Sequence, residues 1–189
     1  ATSNAMAGTA TSSAMAGTAM GNPPSPASPR PLAVTLARKA GEFLAADPGP
    51  RIAVIEMGGW DSHANQMGPN AALASNLRNL DSAVDALRES MGNAVWARTV
   101  VLVATEFGRE VASNGTMGTD HGTGGAAFAL GGAVKGGQTY GTLPIFAVNG
   151  PDDTGLGRWI PTIAVDQHAA TLAKWFGVSD AELPLVLPQ

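Results

Sequence analysis

Two short runs of aliphatic and β-branched residues, RIAVIEM at 51–57 and TVVLVA at 99–104, enclose one long helical stripe, and that order constrains the fold more than any other feature of the chain. Within the stripe, Leu73, Leu77, Leu80, Val84, Leu87 and Met91 alternate by four and three, the spacing of a helix buried along one side. Gly92 supplies its stop. A strand, a helix and a second strand imply a right-handed parallel crossover. Two parallel strands then present their carboxyl ends at one edge of a sheet, where open α/β sheets gather their ligands.

The flanking chain extends the pattern. Leu32, Leu36, Ala40, Phe43 and Leu44 recur at helical spacing over 32–46, and Asp47-Pro48-Gly49-Pro50 ends that helix. Residues 126–130 and 143–148 are further strand candidates, with a glycine-rich stretch at 131–141 between them. Residues 166–176 close the chain as a helix carrying Ala169, Leu172, Ala173 and Phe176 on one face. The sum is an α/β sandwich. A length of 189 residues suits one domain with a substantial core, and that domain is expected over 32–189. Residues 1–31 differ: AMAGTA at 5–10 returns at 14–19, and NPPSPASPRP at 22–31 breaks any helix, which marks a low-complexity, proline-rich, flexible segment.

Composition excludes several function classes. Hydrophobic residues make up 44% of the chain and charged residues 14%, a balance that suits a globular protein and not a disordered one. The net charge of −4 is modest and the 11 basic residues are scattered, so no stripe exists to follow a nucleic-acid backbone. No run approaches the roughly 20 apolar residues that span a bilayer. With no cysteine, histidines and carboxylates must supply any chemistry.

The polar residues sit where the strands end. After 51–57 come Gly58-Gly59, then Trp60, Asp61 and His63. On extended backbone, residues two apart point the same way, so Asp61 and His63 can share one cation, or Asp61 can simply turn the loop. The second strand releases Glu106 and Arg109, which either act at a site or pair with each other. Asp120-His121 then enters the turn Gly122-Thr123-Gly124-Gly125, whose glycines allow close backbone approach while the histidine faces a metal. His168 falls inside the last helix and reads as a packing or surface histidine, and Asn114, Gly115 and Gly118 read as turn residues.

Three motifs in this order, GGWDSHANQ at 58–66, TEFGRE at 105–110 and TDHGTGGAAFALGGAVKGG at 119–137, resemble the carboxyl-terminal part of the domain-of-unknown-function 1501 family, itself grouped with the alkaline phosphatase and sulfatase superfamily. The resemblance implies a three-layer α/β/α sandwich with a mostly parallel central sheet, incomplete on its amino-terminal side, and metal ions at the strand ends. Carried over by position, it makes Asp61, His63, Glu106, Asp120 and His121 the metal ligands, with Zn, Mn, Mg or Ca as the divalent ion. This chain departs from the superfamily in the Asp61–His63 spacing and in Phe107, which occupies a histidine position. In the superfamily an early strand supplies an aspartate ligand and, shortly after, a serine or threonine nucleophile, and no segment before residue 51 can play that part, so either this chain is part of a longer protein or it lacks a covalent step.

The implied activity is metal-assisted hydrolysis of a small anionic ester, a phosphate or a sulfate. Glu106 would manage protons and Arg109 would clamp the anionic group with its planar fork. Two alternatives stand beside it: a non-catalytic binding or scaffold protein with a degenerate metal site, and a chain that pairs with a missing amino-terminal half or with a second copy of itself. The resemblance also implies export to the periplasm or the cell exterior.

Overall fold

Pro31 ends the proline-rich stretch and its carbonyl accepts the first helical hydrogen bonds, from Val34 N–H at 3.0 Å and Thr35 N–H at 3.2 Å. Helix α1 follows as Leu32–Ala45. A computed structural model describes residues 31–68, 71–142 and 147–187. The repeat-bearing segment over 1–30 lies outside the described residues, as does most of the strand expected at 143–148.

Helix α2, Ala72–Trp96, is the long helix expected from the leucine stripe. Gly92 takes φ 73°, a left-handed conformation that a side chain resists, and it interrupts the helix where the sequence placed a stop. The two helices pack along small residues. Ala37 and Gly41 of α1 and Ala83 and Ala86 of α2 are buried, and a Cβ on Gly41 would lie 2.7 Å from the Leu87 carbonyl oxygen. Leu87 and Met91 fill the seam with Ala37 and Ala83, and Ala33, Ala40, Leu44, Val95 and Trp96 close around it. The core therefore sits between two helices.

The extended segment 52–60 lies against this core without forming a strand. Ile55 and Met57 pack on it while Ile52 and Val54 face outward, 67% and 92% exposed. This alternation is the period of extended backbone, one side inward and one out. Strand β1, Val101–Val103, also reaches the core through Val101, but its partner is β4, Phe128–Leu130, in antiparallel register with Leu102 opposite Ala129. Between them, β2, Gly108–Arg109, pairs antiparallel with β3, His121–Gly122.

These pairings overturn the expected fold class. Among the described residues there is no parallel central sheet, no right-handed crossover and no three-layer α/β/α sandwich, only two antiparallel two-stranded pairs, one isolated antiparallel bridge between Asp153 and Trp159, and a packed pair of helices. The reason is physical. An apolar β-branched run reports that a segment wants burial on its faces, whereas partner and direction depend on which edge reaches it, and β4 holds an edge of β1.

Helix α3, Val165–Trp175, matches the closing helix, and Gln167 Oε1 accepts from the Ala164 N–H at 3.1 Å to satisfy one of its free amino-terminal donors. Arg51 lays its guanidinium over the Phe176 ring, 4.5 Å from the centroid, and ties this end of the chain to the start of the extended segment. A short helix α4, Leu183–Val186, follows. Among the described residues no helix is long and apolar enough to cross a membrane.

Candidate metal centre

The β2–β3 register sets the site. Arg109 stands directly opposite His121, and opposed residues of an antiparallel pair project from the same face. Both side chains meet the loop that follows the extended segment, where Asp61 Oδ1 lies 2.6 Å from Arg109 Nη2 and 2.9 Å from His121 Nε2. His63 Nε2 approaches the same oxygen at 2.9 Å. Asp61, His63 and His121 thus offer one carboxylate oxygen and two imidazole nitrogens within 4.8 Å of one another. A ring nitrogen bearing a lone pair and a carboxylate oxygen repel at such distances, so a proton or a metal cation must lie between them. Two imidazoles with one carboxylate form a recognised donor set for first-row divalent ions.

Asp120 is placed differently. Its Oδ1 lies 2.9 Å from His63 Nδ1, on the far side of the ring from Asp61. It therefore backs a histidine rather than joining the convergent group. The His63 hydrogen bond, with Asn114 beside it, holds the Asp120 carboxyl below the usual carboxylate range. Asp61 is lowered as well, above all by His121 and then by Arg109, against an opposing desolvation.

Arg109 is also committed. Nη1 donates to the Thr119 carbonyl at 2.8 Å, while Nη2 donates to Asp61 and contacts the Trp60 carbonyl at 3.3 Å. The pairing with Glu106, open in the sequence, is not made; Asp61 takes the guanidinium instead. Glu106 is exposed and lies outside the group of three. Phe107 stacks face to face on His121, with centroids 4.2 Å apart and planes 7° from parallel. His121 in turn stacks on His63 at 5.0 Å, so three rings form one column. His168 lies on α3 and is not among the three converging residues.

The loop between β2 and β3 contributes more than its turn-like sequence suggests. Asn114 Oδ1 accepts from the Thr116 and Gly118 N–H groups, both at 3.0 Å, and Nδ2 donates to the His63 carbonyl at 2.9 Å and to Asp120 at 3.1 Å. Two backbone bonds, Asn65 N–H to Thr116 O at 2.9 Å and Gln66 N–H to Met117 O at 3.0 Å, clip this loop to the His63 segment. Gly118 is buried there, and a side chain would collide with the His63 carbonyl. An Asn-Gly pair signals a turn, but nothing in the local sequence names a partner some fifty residues away. Asp153 is a residue the sequence left unmarked. Its carboxylate accepts from the N–H groups of Asn149, Gly155, Gly157 and Arg158, and this loop docks beside the site through Arg158 Nε to Glu110 at 3.0 Å.

A family model described as Protein of unknown function (DUF1501) matches residues 2–154, a span that holds every residue of the cluster. No curated protein and no solved structure matches the chain.

Proposed function

We propose, for a chain that belongs to the family described as Protein of unknown function (DUF1501), that Asp61, His63 and His121 hold a divalent cation and that this centre hydrolyses phosphate or sulfate esters. The observation that carries the reading is the convergence of one carboxylate oxygen and two Nε2 atoms from separate loops. The ester class comes from the resemblance of the three motifs to the alkaline phosphatase and sulfatase superfamily. The nitrogen-rich donor set favours Zn or Mn over Mg or Ca, which prefer oxygen alone.

When bound, a divalent cation polarises an ester oxygen as a Lewis acid. The chain's own groups then have separable tasks. Arg109 fixes Asp61 by a charge-assisted bond, and with Thr119 and Trp60 also engaged it orients the carboxylate more than it clamps an anion. Phe107 keeps the His121 ring from turning and shields one face of it from water. Asp120 accepts a hydrogen bond from His63 Nδ1–H. Glu106, next to Phe107 and exposed, is the carboxylate left to take up or release a proton at its oxygens.

A second reading has its own observation. Phe107 puts a hydrocarbon ring where a ligand would stand, and the cluster is open, with His63 and His121 side chains 44% and 48% exposed, as suits a binding protein with a reduced metal site. Metal analysis of the parent and of an Asp61→Ala, His121→Ala double variant decides whether the centre exists: uptake by the parent and loss in the variant is the expected result, and equal uptake by both sinks it. A panel of phosphate and sulfate esters with added Zn, Mn, Mg or Ca then separates the two readings. Turnover supports the hydrolase, and cation uptake without turnover supports the binder.

A further inference from the structure

We propose that Asn114 is a positioning residue of the cation centre: its side-chain amide holds the Asp120 carboxylate on His63 Nδ1, which keeps the ring proton there and turns Nε2 toward Asp61 and His121. The inference rests on the reading of Asp61, His63 and His121 as a cation centre.

The chain of constraint starts at the backbone. Thr116 and Gly118 each point an N–H at Asn114 at 3.0 Å, and an N–H can only donate, so the amide oxygen of Asn114 must be the atom that faces them. The amide nitrogen is thereby turned to the other side. There it meets two acceptors, the His63 carbonyl at 2.9 Å and Asp120 Oδ1 at 3.1 Å. An ionised carboxylate has no proton to give. Oδ1 therefore accepts from both neighbours, and His63 Nδ1, 2.9 Å away, must be the protonated nitrogen. That leaves Nε2, 2.9 Å from Asp61 Oδ1, as the ring nitrogen whose lone pair can serve a cation held between it and that carboxylate.

Two further contacts hold the arrangement in register. Thr116 Oγ1 donates to the His63 carbonyl at 2.7 Å, and Gly118 N–H fixes Asn114 from the carboxyl-terminal side of the loop. The same amide therefore grips the backbone of His63 and, through Asp120, its ring. Carboxylates that back a ligand histidine set its tautomer and raise its basicity. Here the carboxylate is itself oriented by an asparagine that reads the geometry of a loop.

Asn114→Asp tests this with little disturbance of the turn. It keeps an oxygen for Thr116 and Gly118 but sets a second carboxylate against Asp120, which repels it from His63. Zn titrated into this variant is expected to bind about tenfold more weakly than to the parent, or weaker still. In an Asp120→Ala background the same substitution is expected to change the affinity by less than about twofold, because the group it acts through is gone. A long-range proton–nitrogen spectrum of the cation-free protein supplies a readout that a merely structural role would not move: the His63 Nδ1–H signal, bonded to Asp120 in the parent, shifts or is lost in Asn114→Asp.

Unchanged affinity in Asn114→Asp, or an equal loss in both backgrounds, overturns the proposal. If Asn114→Asp fails to fold, Asn114→Ser replaces it, since a serine hydroxyl still serves the turn and is too short to reach Asp120. If the parent takes up no Zn, the cation-centre reading fails while the Nδ1–H readout still decides this one: an unaltered His63 Nδ1–H signal overturns it, and its shift or loss upholds it.

Discussion

Sequence neighbours exchange partners at the centre. Asp120 is adjacent to His121 but backs His63, and Asp61 lies two residues from His63 yet also contacts His121. The crossing joins two loops that the chain makes separately, so an Asp61 substitution removes a partner from both histidines, whereas Asp120 holds His63 alone. Phe107 adds a constraint of another kind. Its ring lies 4.2 Å from His121 and limits the angle at which Nε2 can meet a ligand. An aromatic pair of this geometry is worth about 0.5–1.5 kcal/mol beyond its buried area, so Phe107→Ala should weaken cation binding several-fold, to about tenfold. Calorimetric titration with Zn checks it, and an affinity equal to the parent's would show that His121 is held without the stack. The sequence grouped Asp61, His63, Glu106, Asp120 and His121 because each leaves a strand run or enters a glycine-rich turn; the structure brings all but Glu106 into one hydrogen-bonded cluster. The sequence could not separate the carboxylate that faces the centre from the one that stands behind a ring, since the two differ only in which side of His63 they reach.

Helices α1 and α2 were legible almost to their ends, and the sheet was not. An amphipathic helix writes its own period and its own stop, as the stripe from Leu73 to Met91 and Gly92 do, because its hydrogen bonds are local. A strand's bonds go elsewhere. The runs at 51–57 and 99–104 have similar composition, yet only the second contains a paired strand, β1. What the helical pattern also hides is how closely the two axes approach. Gly41 lies against Leu87 and Ser90 with no space for a methyl group. Gly41→Ala should gain about 1 kcal/mol in helix propensity and still destabilise the protein, because pushing the helices apart costs about 1–3 kcal/mol and also loosens the seam around Leu87 and Met91. Gly136→Ala, where a Cβ meets nothing within 4 Å, is the control. Denaturant unfolding of both variants settles it: equal midpoints would mean that the seam has room to adjust.

Depressed carboxylates are spread across the whole molecule, and their pH response can be worked out from their partners. Asp61 and Asp120 stand at the centre, Asp153 in the loop beside it, and Glu182 at the start of α4, where the Ser179 hydroxyl and N–H bind it. Each titrates below its ordinary value, which is 3.8 for the aspartates and 4.5 for the glutamate. A group whose folded pKa lies below its unfolded one stabilises the fold fully above the unfolded value, and that contribution disappears as pH falls through the folded one. Stability should therefore stay level from neutrality down to the ordinary carboxylate range and drop only below about pH 4. Asp153 isolates one part of this response, because its depression comes chiefly from backbone donors, Asn149 first, and not from a histidine that titrates in its own right. Asp153→Asn exchanges one acceptor oxygen for an NH₂ group that cannot accept from those donors. The variant should be less stable than the parent at neutral pH, and the gap should close as acid protonates Asp153 in the parent. Urea midpoints for both proteins, measured at neutrality and again below about pH 3, give the comparison. A gap of constant size at the two pH values would mean that the Asp153 carboxylate holds its loop by shape alone, and that its charge does not bind the loop's N–H groups beside the Asp61, His63 and His121 cluster.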